Sequence, residues 1–185
     1  MKINTLHPHS THYDSNGNDS ITENQKITVI TVSFNAVSDI ERTILSVINQ
    51  SYFDIEYLVI DGGSTDGTVN IIEKYNDRIT AWLSESDKGV YDAMNKGIRM
   101  ATGRWILFMN SGDTFHDNKV VEDIFKETYP DHVGVIWGDT DFYNKEHFVS
   151  KSVKTPFTKT IMCHIEPVWV LPIKVCLPEL TWQKN

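Results

Sequence analysis

The sequence predicts an α/β domain with a mostly parallel sheet and helices on both faces. Two observations predict it. Strand-like and helix-like apolar segments alternate in the order β-α-β-α-β-α-β, which joins parallel strands through crossover helices. Four successive strand-like segments also end in a polar or acidic residue: ITVITVSFN (to Asn35), IEYLVID (to Asp61), ITAWLSESD (to Asp87) and RWILFMNSGD (to Asp113). In an open parallel sheet, ligands bind outside the carboxyl ends of the strands. The four tips are therefore expected to converge on one acidic crevice, where a phosphate-bearing ligand would need a cation.

Each element has its own local signature. Residues 1–25 are rich in Asn, Ser, Thr, Asp and His and read as a disordered extension. Ile27–Phe34 is β-branched and nearly continuous, as a strand buried on both faces requires. Ser38-x-x-Glu41 has the form of a capping box, and Ile40, Ile44, Val47 and Ile48 follow at helical spacing. Ile55–Ile60 is the second strand. The turn Asp61-Gly-Gly-Ser-Thr-Asp-Gly67 leads into a helix carrying Val69, Ile72 and Tyr75. Ile79–Leu83 is the third strand. Gly89 opens a helix with Ala93, Met94, Ile98 and Ala101, stopped by Gly103. Trp105–Met109 is the fourth strand, and Asp117–Tyr129 a fourth helix that closes before Pro130. Val133–Trp137 reads as another strand, and Phe142–Val153 as a hairpin or an edge strand.

The chain of 185 residues accommodates one domain with a real core. Its apolar share of 40% and charged share of 23% are ordinary for a globular protein. A formal net charge of −8 argues against a general nucleic-acid binder, which needs a basic face. It leaves nucleotides open, because a metal ion can supply the missing positive charge. The two cysteines, Cys163 and Cys176, lack metal-site spacing and read as reduced thiols of a cytosolic protein. No apolar run is long enough to span a membrane, and the polar N-terminus lacks a secretory signal.

Three segments carry candidate chemistry. In Asp61–Gly67 a strand-tip carboxylate precedes two glycines, which let backbone approach a ligand closely. The segment matches neither GxxxxGK[ST] nor GxGxxG, so Asp61 is cast as an acceptor for a base or ribose. The same residues also suit an Asx-type turn built on Asp61, Ser64 and Asp66. In the second segment, Asp87–Gly97, a loop enters a helix that sets Asp92 and Asn95 one turn apart. Those polar groups suggest a face turned to a cavity, although Asp92 also suits a helix start favoured by the macrodipole. Lys96 reads as a solvated surface charge. In Phe108–Phe115 an apolar strand runs into Asn110-Ser111-Gly112-Asp113. One carboxylate with diphosphate oxygens and waters is a reasonable set for Mg2+ or Mn2+; a plain turn is the alternative.

Taken in order, ITVITVSFN, SVINQSYFDIEYLVIDGGSTDGT, SESDKGVYDAMNKGIRMATGRWILFMNSGDTF and MCH at 162–164 resemble the inverting glycosyltransferases of family 2. The resemblance covers residues 26–164 and is greatest to bacterial transferases of capsule, colanic-acid and other exopolysaccharide assembly. It implies the nucleotide-sugar-binding, Rossmann-like GT-A fold. It also implies a UDP- or GDP-linked sugar donor and a saccharide or lipid-linked acceptor, with the protein in the cytoplasm or peripheral at the inner face of the cell membrane. By that resemblance Ser33 and Asn35 line the nucleoside pocket, and Asp61 contacts the base. Asp87 and Asp92, with Asn95, border the nucleotide and donor sugar. Ser111-Gly112-Asp113 stands for the family's metal-binding Asp-x-Asp element, with Asp113 the ligand of Mg2+ or Mn2+. His164 aligns with a histidine near the acceptor.

The chemistry so implied is a single displacement at the anomeric carbon, with a second carboxylate taking the acceptor's proton. The catalytic residue for that step is unassigned. Residues 165–185 contain Pro167, Pro172 and Pro178 and depart from the family pattern, and Glu166 and Glu179 are the acids there. The sequence-level expectation is a truncated transferase that keeps the donor half and lacks the base. A non-catalytic nucleotide-sugar-binding module is the alternative. A phospho-receiver reading requires an acid pair at the first strand tip, where Ser33-Phe34-Asn35 stands instead.

Overall fold

The computed structural model describes residues 2–3, 25–126, 135–137, 141–144, 147–151 and 161–164. The expected extension, apart from Lys2–Ile3, and the expected off-pattern tail lie outside the described residues. Lys2–Ile3 (β1) pairs antiparallel with the strand at Ala81–Trp82.

The four predicted strands are β2 (Ile27–Ser33), β3 (Ile55–Asp61), β4 (Ala81–Ser84) and β5 (Trp105–Phe108). They lie in the spatial order β4-β3-β2-β5, and every pairing among them is parallel. The sheet is completed by β6 (Val135–Trp137) and β9 (Ile161–His164), with β9 antiparallel between β5 and β6. β7 (Asp141–Asn144) and β8 (His147–Lys151) form a separate antiparallel hairpin. β2 is central and all seven of its residues are buried, which explains its unbroken β-branched run.

Alternate residues of β2 serve the two faces. Ile27 and Val29 pack with Ile40, Ile44 and Val47 of α1 (Ile40–Ile48), Ile72 of α2 (Thr68–Lys74) and Val121 of α4 (Val120–Ile124). Ile30 and Val32 pack on the other side with Ala93 of α3 (Val90–Met100). Helices thus cover both faces, as the sequence predicts. α3 reaches the sheet closely because of Gly97, where a Cβ would lie 2.5 Å from Cγ2 of Ile30. Gly97→Ala is expected to overpack this contact and cost about 1–3 kcal/mol, read as a lower urea midpoint.

Three local expectations are corrected. The capping box of α1 does not form: Asp39 is the N-cap residue and makes no side-chain capping bond. Ser38 donates to Asp39 at 2.7 Å, and Glu41 is taken by Lys74 and by the Tyr75 hydroxyl, each at 2.7 Å. A partner on the neighbouring helix outcompetes the local loop. α4 starts at Val120 rather than Asp117, because the Asp117 carboxylate accepts the Lys119 N–H in a tight local turn. β4 starts at Ala81, since Ile79 still donates backward to the Tyr75 carbonyl.

Candidate functional site

The carboxyl ends of the parallel strands are aligned row by row. Ser33 pairs in register with Asp61, and Asp61 with Ser84. Both hydroxyls turn onto the carboxylate: Ser33 Oγ donates to Oδ1 at 3.1 Å and Ser84 Oγ to Oδ2 at 2.6 Å. Ser64 Oγ donates to Oδ1, while the Gly63 and Ser64 N–H groups donate to Oδ2 at 3.1 and 2.8 Å. Asp61 is fully buried. Burial pushes its carboxyl up, but the donors from Ser64, Ser84 and Ser33 outweigh it and the net shift is downward. Both oxygens of Asp61 are therefore occupied by the protein itself. The carboxylate ties three strand tips and a loop together, and the bonds from Gly63 and Ser64 are those of the expected Asx-type turn.

The loops after β2 and β3 are laced to each other. Asn35 sits at φ 48°, its N–H donates to Ser64 Oγ at 2.7 Å, and its Oδ1 accepts the Thr65 N–H at 3.0 Å. Asn tolerates this left-handed backbone better than most residues. Asp66 accepts from the Val37 N–H on one oxygen and from the Thr68 N–H and hydroxyl on the other. Gly67, at φ 105°, then enters α2.

Asp87 reaches the same place from the β4–α3 loop. A Cβ on Gly62 would lie 2.6 Å from Asp87 Oδ2 and 3.3 Å from Cδ2 of Phe34, so Asp87 stands over Gly62 beside that ring. Asp87 Oδ1 accepts the Gly89 N–H at 2.8 Å. Phe34 is 65% exposed, a large apolar face left open at the tip of β2. Asp92 accepts the Lys88 N–H at 3.2 Å, and this bond, with the nearby Lys96 charge, holds its carboxyl below the usual range. Asn95 lies one turn further along α3, half-buried.

The fourth tip is anchored separately. Ser111 donates both its N–H (3.2 Å) and its hydroxyl (3.1 Å) to the Val32 carbonyl, placing the β5 exit beside the end of β2. Gly112, at φ 102°, turns the chain and donates to Thr43 Oγ1 at 2.9 Å. Thr43 returns a bond to the Asp113 carbonyl at 2.9 Å. The Asp113 side chain is exposed. Partial enclosure pushes its carboxyl up, against the pull of Asn110 and of the Arg42 guanidinium. Arg42 pairs with Asp39 at 3.2 Å and stands 3.5 Å from the position of a Cβ on Gly112.

Ser33, Asn35, Asp61 and Asp87 are thus joined at one end of the sheet. Ser111 is tied to the same end, with Asp113 on the turn that follows it. His164 is placed differently: it pairs in register with Trp105, the first residue of β5, and so stands at the far end of that strand from Ser111 and Asp113. Sequence reasoning missed Ser84, whose position one strand from Asp61, in the same row, was visible only as the end of an apolar strand. It also misread Lys96, whose side chain is 13% exposed and bound to acids rather than solvated. Its i,i+4 spacing from Asp92 was the available signal.

The model for glycosyl transferase family 2 matches residues 28–176. This span contains every strand tip described above. The chain belongs to glycosyl transferase family 2. Within that family it is 44% identical over 96 residues to an uncharacterised glycosyltransferase of Mycobacterium tuberculosis, a match covering 51% of this chain and 37% of the relative. It is 36% identical over 101 residues to a putative teichuronic acid biosynthesis glycosyltransferase of Bacillus subtilis, covering 53% of this chain and 40% of that one. A mannosyltransferase of Pyrobaculum calidifontis, solved with GDP-Man and Mn2+, superimposes with a TM-score of 0.56 at 25% identity over 62% of this chain and 35% of its own. The family 2 chain therefore spans well under half the length of these curated relatives, and its parallel core is the GT-A arrangement.

Proposed function

We propose that this family 2 domain binds a UDP- or GDP-linked sugar at its strand tips. On this reading it is the donor-binding part of a metal-dependent, inverting glycosyltransferase of surface polysaccharide assembly. The observation that carries the reading is the pairing of two unlike sites at one sheet end. One is a rigid, laced loop pair with an open aromatic face and Asp87. The other is an exposed carboxylate, Asp113, on a turn locked to α1. A base and ribose suit the first, and a diphosphate with its cation suits the second.

Among the described residues no three His, Cys, Asp or Glu side chains gather to hold a metal ion. The donor set nonetheless fits a cation that arrives on phosphate. Mg2+ and Mn2+ of nucleotide sites are held by one or two carboxylates plus substrate phosphates, and Asp113 offers one exposed carboxylate. Asp113 would hold a divalent cation there, which would supply Lewis-acid neutralisation of the leaving diphosphate. Arg42, beside Gly112, adds a fixed positive charge on the same side. Asp61 binds no ligand in this scheme; it sets the shape of the loops that do. In the reaction an acceptor oxygen bonds to the anomeric carbon as the bond to the diphosphate oxygen breaks, which inverts that centre, and the acceptor's proton passes to a base. The acceptor is proposed to be a saccharide, lipid-linked, at the inner face of the membrane. Contact with that membrane is proposed to be peripheral; among the described residues no helix is long and apolar enough to cross one.

Calorimetry with UDP, GDP and their sugars, with and without Mn2+, tests the reading. The expected result is binding of one nucleotide class, strengthened at least about tenfold by Mn2+, as charge neutralisation at a phosphate site requires. Failure of every nucleotide to bind overturns it. Binding without donor turnover across many acceptors favours the non-catalytic module.

A further inference from the structure

Lys96 of α3, half-buried with its side chain 13% exposed, has no role in the site so far. Lys96 Nζ lies 2.9 Å from Glu85 Oε1, 3.6 Å from Asp92 Oδ2 and 3.3 Å from the Ser86 carbonyl, and it donates to that carbonyl. Glu85 and Ser86 belong to the arm between β4 and α3, and Asp87 is the next residue. Lysines this enclosed are uncommon unless paired. Here one ammonium serves two carboxylates and a carbonyl, with the Asp87 charge close enough to add to its stabilisation. The arm is tied at its two ends, by the Ser84 hydroxyl and Glu85 N–H to Asp61 and by the Lys88 N–H to Asp92 and the Gly89 carbonyl to α3, with Gly89 N–H to Asp87 Oδ1 inside it; Lys96 holds Glu85 and Ser86 between those ends. Three carboxylates within one short stretch would repel one another and splay it if no cation sat among them.

We propose that Lys96 is a positioning residue that fixes the Ser84–Gly89 arm, and so holds Asp87 over Gly62 at the mouth of the nucleotide crevice. The proposal rests on the nucleotide-sugar reading given above. Gly62 backs Asp87 from the other side. It needs no unusual φ, so alanine there meets only side chains, Asp87 Oδ2 at 2.6 Å first and the Phe34 ring at 3.3 Å. The two residues give independent handles on one side chain.

The test uses the full chain with UDP and GDP as probes and three variants: Lys96→Met, Lys96→Arg and Gly62→Ala. Lys96→Met is expected to weaken binding of the accepted nucleotide by roughly ten- to a hundredfold, the penalty of misplacing a site group by about 1 Å. Hydrogen exchange of the amides at 85–89 should rise, while the melting temperature moves by less than about 4 °C. Lys96→Arg should recover most of the affinity. Gly62→Ala should weaken binding with no cation removed. Unchanged affinity in Lys96→Met overturns the proposal. So does an equal loss in Lys96→Arg that tracks a fall in melting temperature, which marks a purely structural role. If the unmodified chain binds neither UDP nor GDP, the nucleotide-sugar reading itself falls; if it binds and Lys96→Met binds alike, only the assignment of Lys96 does.

Discussion

Asp61→Asn is expected to destabilise the domain by about 3 kcal/mol, since buried donors around a charged acceptor lose their partner. An amide nitrogen cannot accept. Whichever way Asn turns, it faces either the two hydroxyls on Oδ1 or the three donors on Oδ2 with another N–H. For a chain of this size the loss corresponds to a fall in melting temperature of roughly 6–12 °C, measurable by calorimetric scanning. Nucleotide binding should weaken as well, because the Ser33, Ser64 and Ser84 tips lose their common anchor. The acid dependence follows in sign. The folded carboxyl titrates below its ordinary range, so its stabilisation is present above the unfolded pKa and is lost as pH falls through the lowered folded value. The asparagine variant should lack that part of the acid sensitivity. A variant as stable as the parent at neutral pH would show that the donors around Asp61 are dispensable.

Asp113→Ala should act in the opposite manner, through function and not stability. Its side chain is exposed, while its turn is held by the Gly112 N–H, the Asp113 carbonyl and Thr43. The melting temperature should therefore stay near that of the parent. The strengthening of nucleotide binding by Mn2+ should disappear, and any sugar transfer should fall by about 10²–10³, the scale for removing one electrostatic element of a transition-state site. Titrating Mn2+ into parent and variant with saturating UDP or GDP separates the cases. Retention of the full Mn2+ effect in the variant would remove Asp113 from the metal site.

The two variants divide the site into a part the sequence shows and a part it hides. The strand tips were legible because buried parallel strands are continuous apolar runs and their polar ends stand out against them. Asp87 and Asp113 are not strand ends as the sequence suggests: β4 stops at Ser84 and β5 at Phe108, and both acids lie on the loops that follow. The inward use of Asp61 was not, since one carboxylate at a strand end looks the same whether it accepts from serines or from a ligand. The register that sets Ser33 and Ser84 on either side of it is what supplies its serine partners. Glu56 was missed on similar grounds. It is 6% exposed and accepts from Thr28, Thr102 and Lys26, partners 28, 46 and 30 residues away. Helix ends were read too locally, because Glu41 finds Lys74 and Tyr75 across space sooner than its own helix start.

The central place of β2 has a consequence for how the domain is made. β2 is bordered by Ile55–Asp61 on one side and by Trp105–Phe108 on the other. A nascent chain therefore carries its central, fully buried strand with one edge unmet until residue 108 has left the ribosome. Such long sequence separation slows folding, and an unmet apolar edge is a template for misassociation. Shielding of that edge during synthesis is expected to raise the yield of native protein.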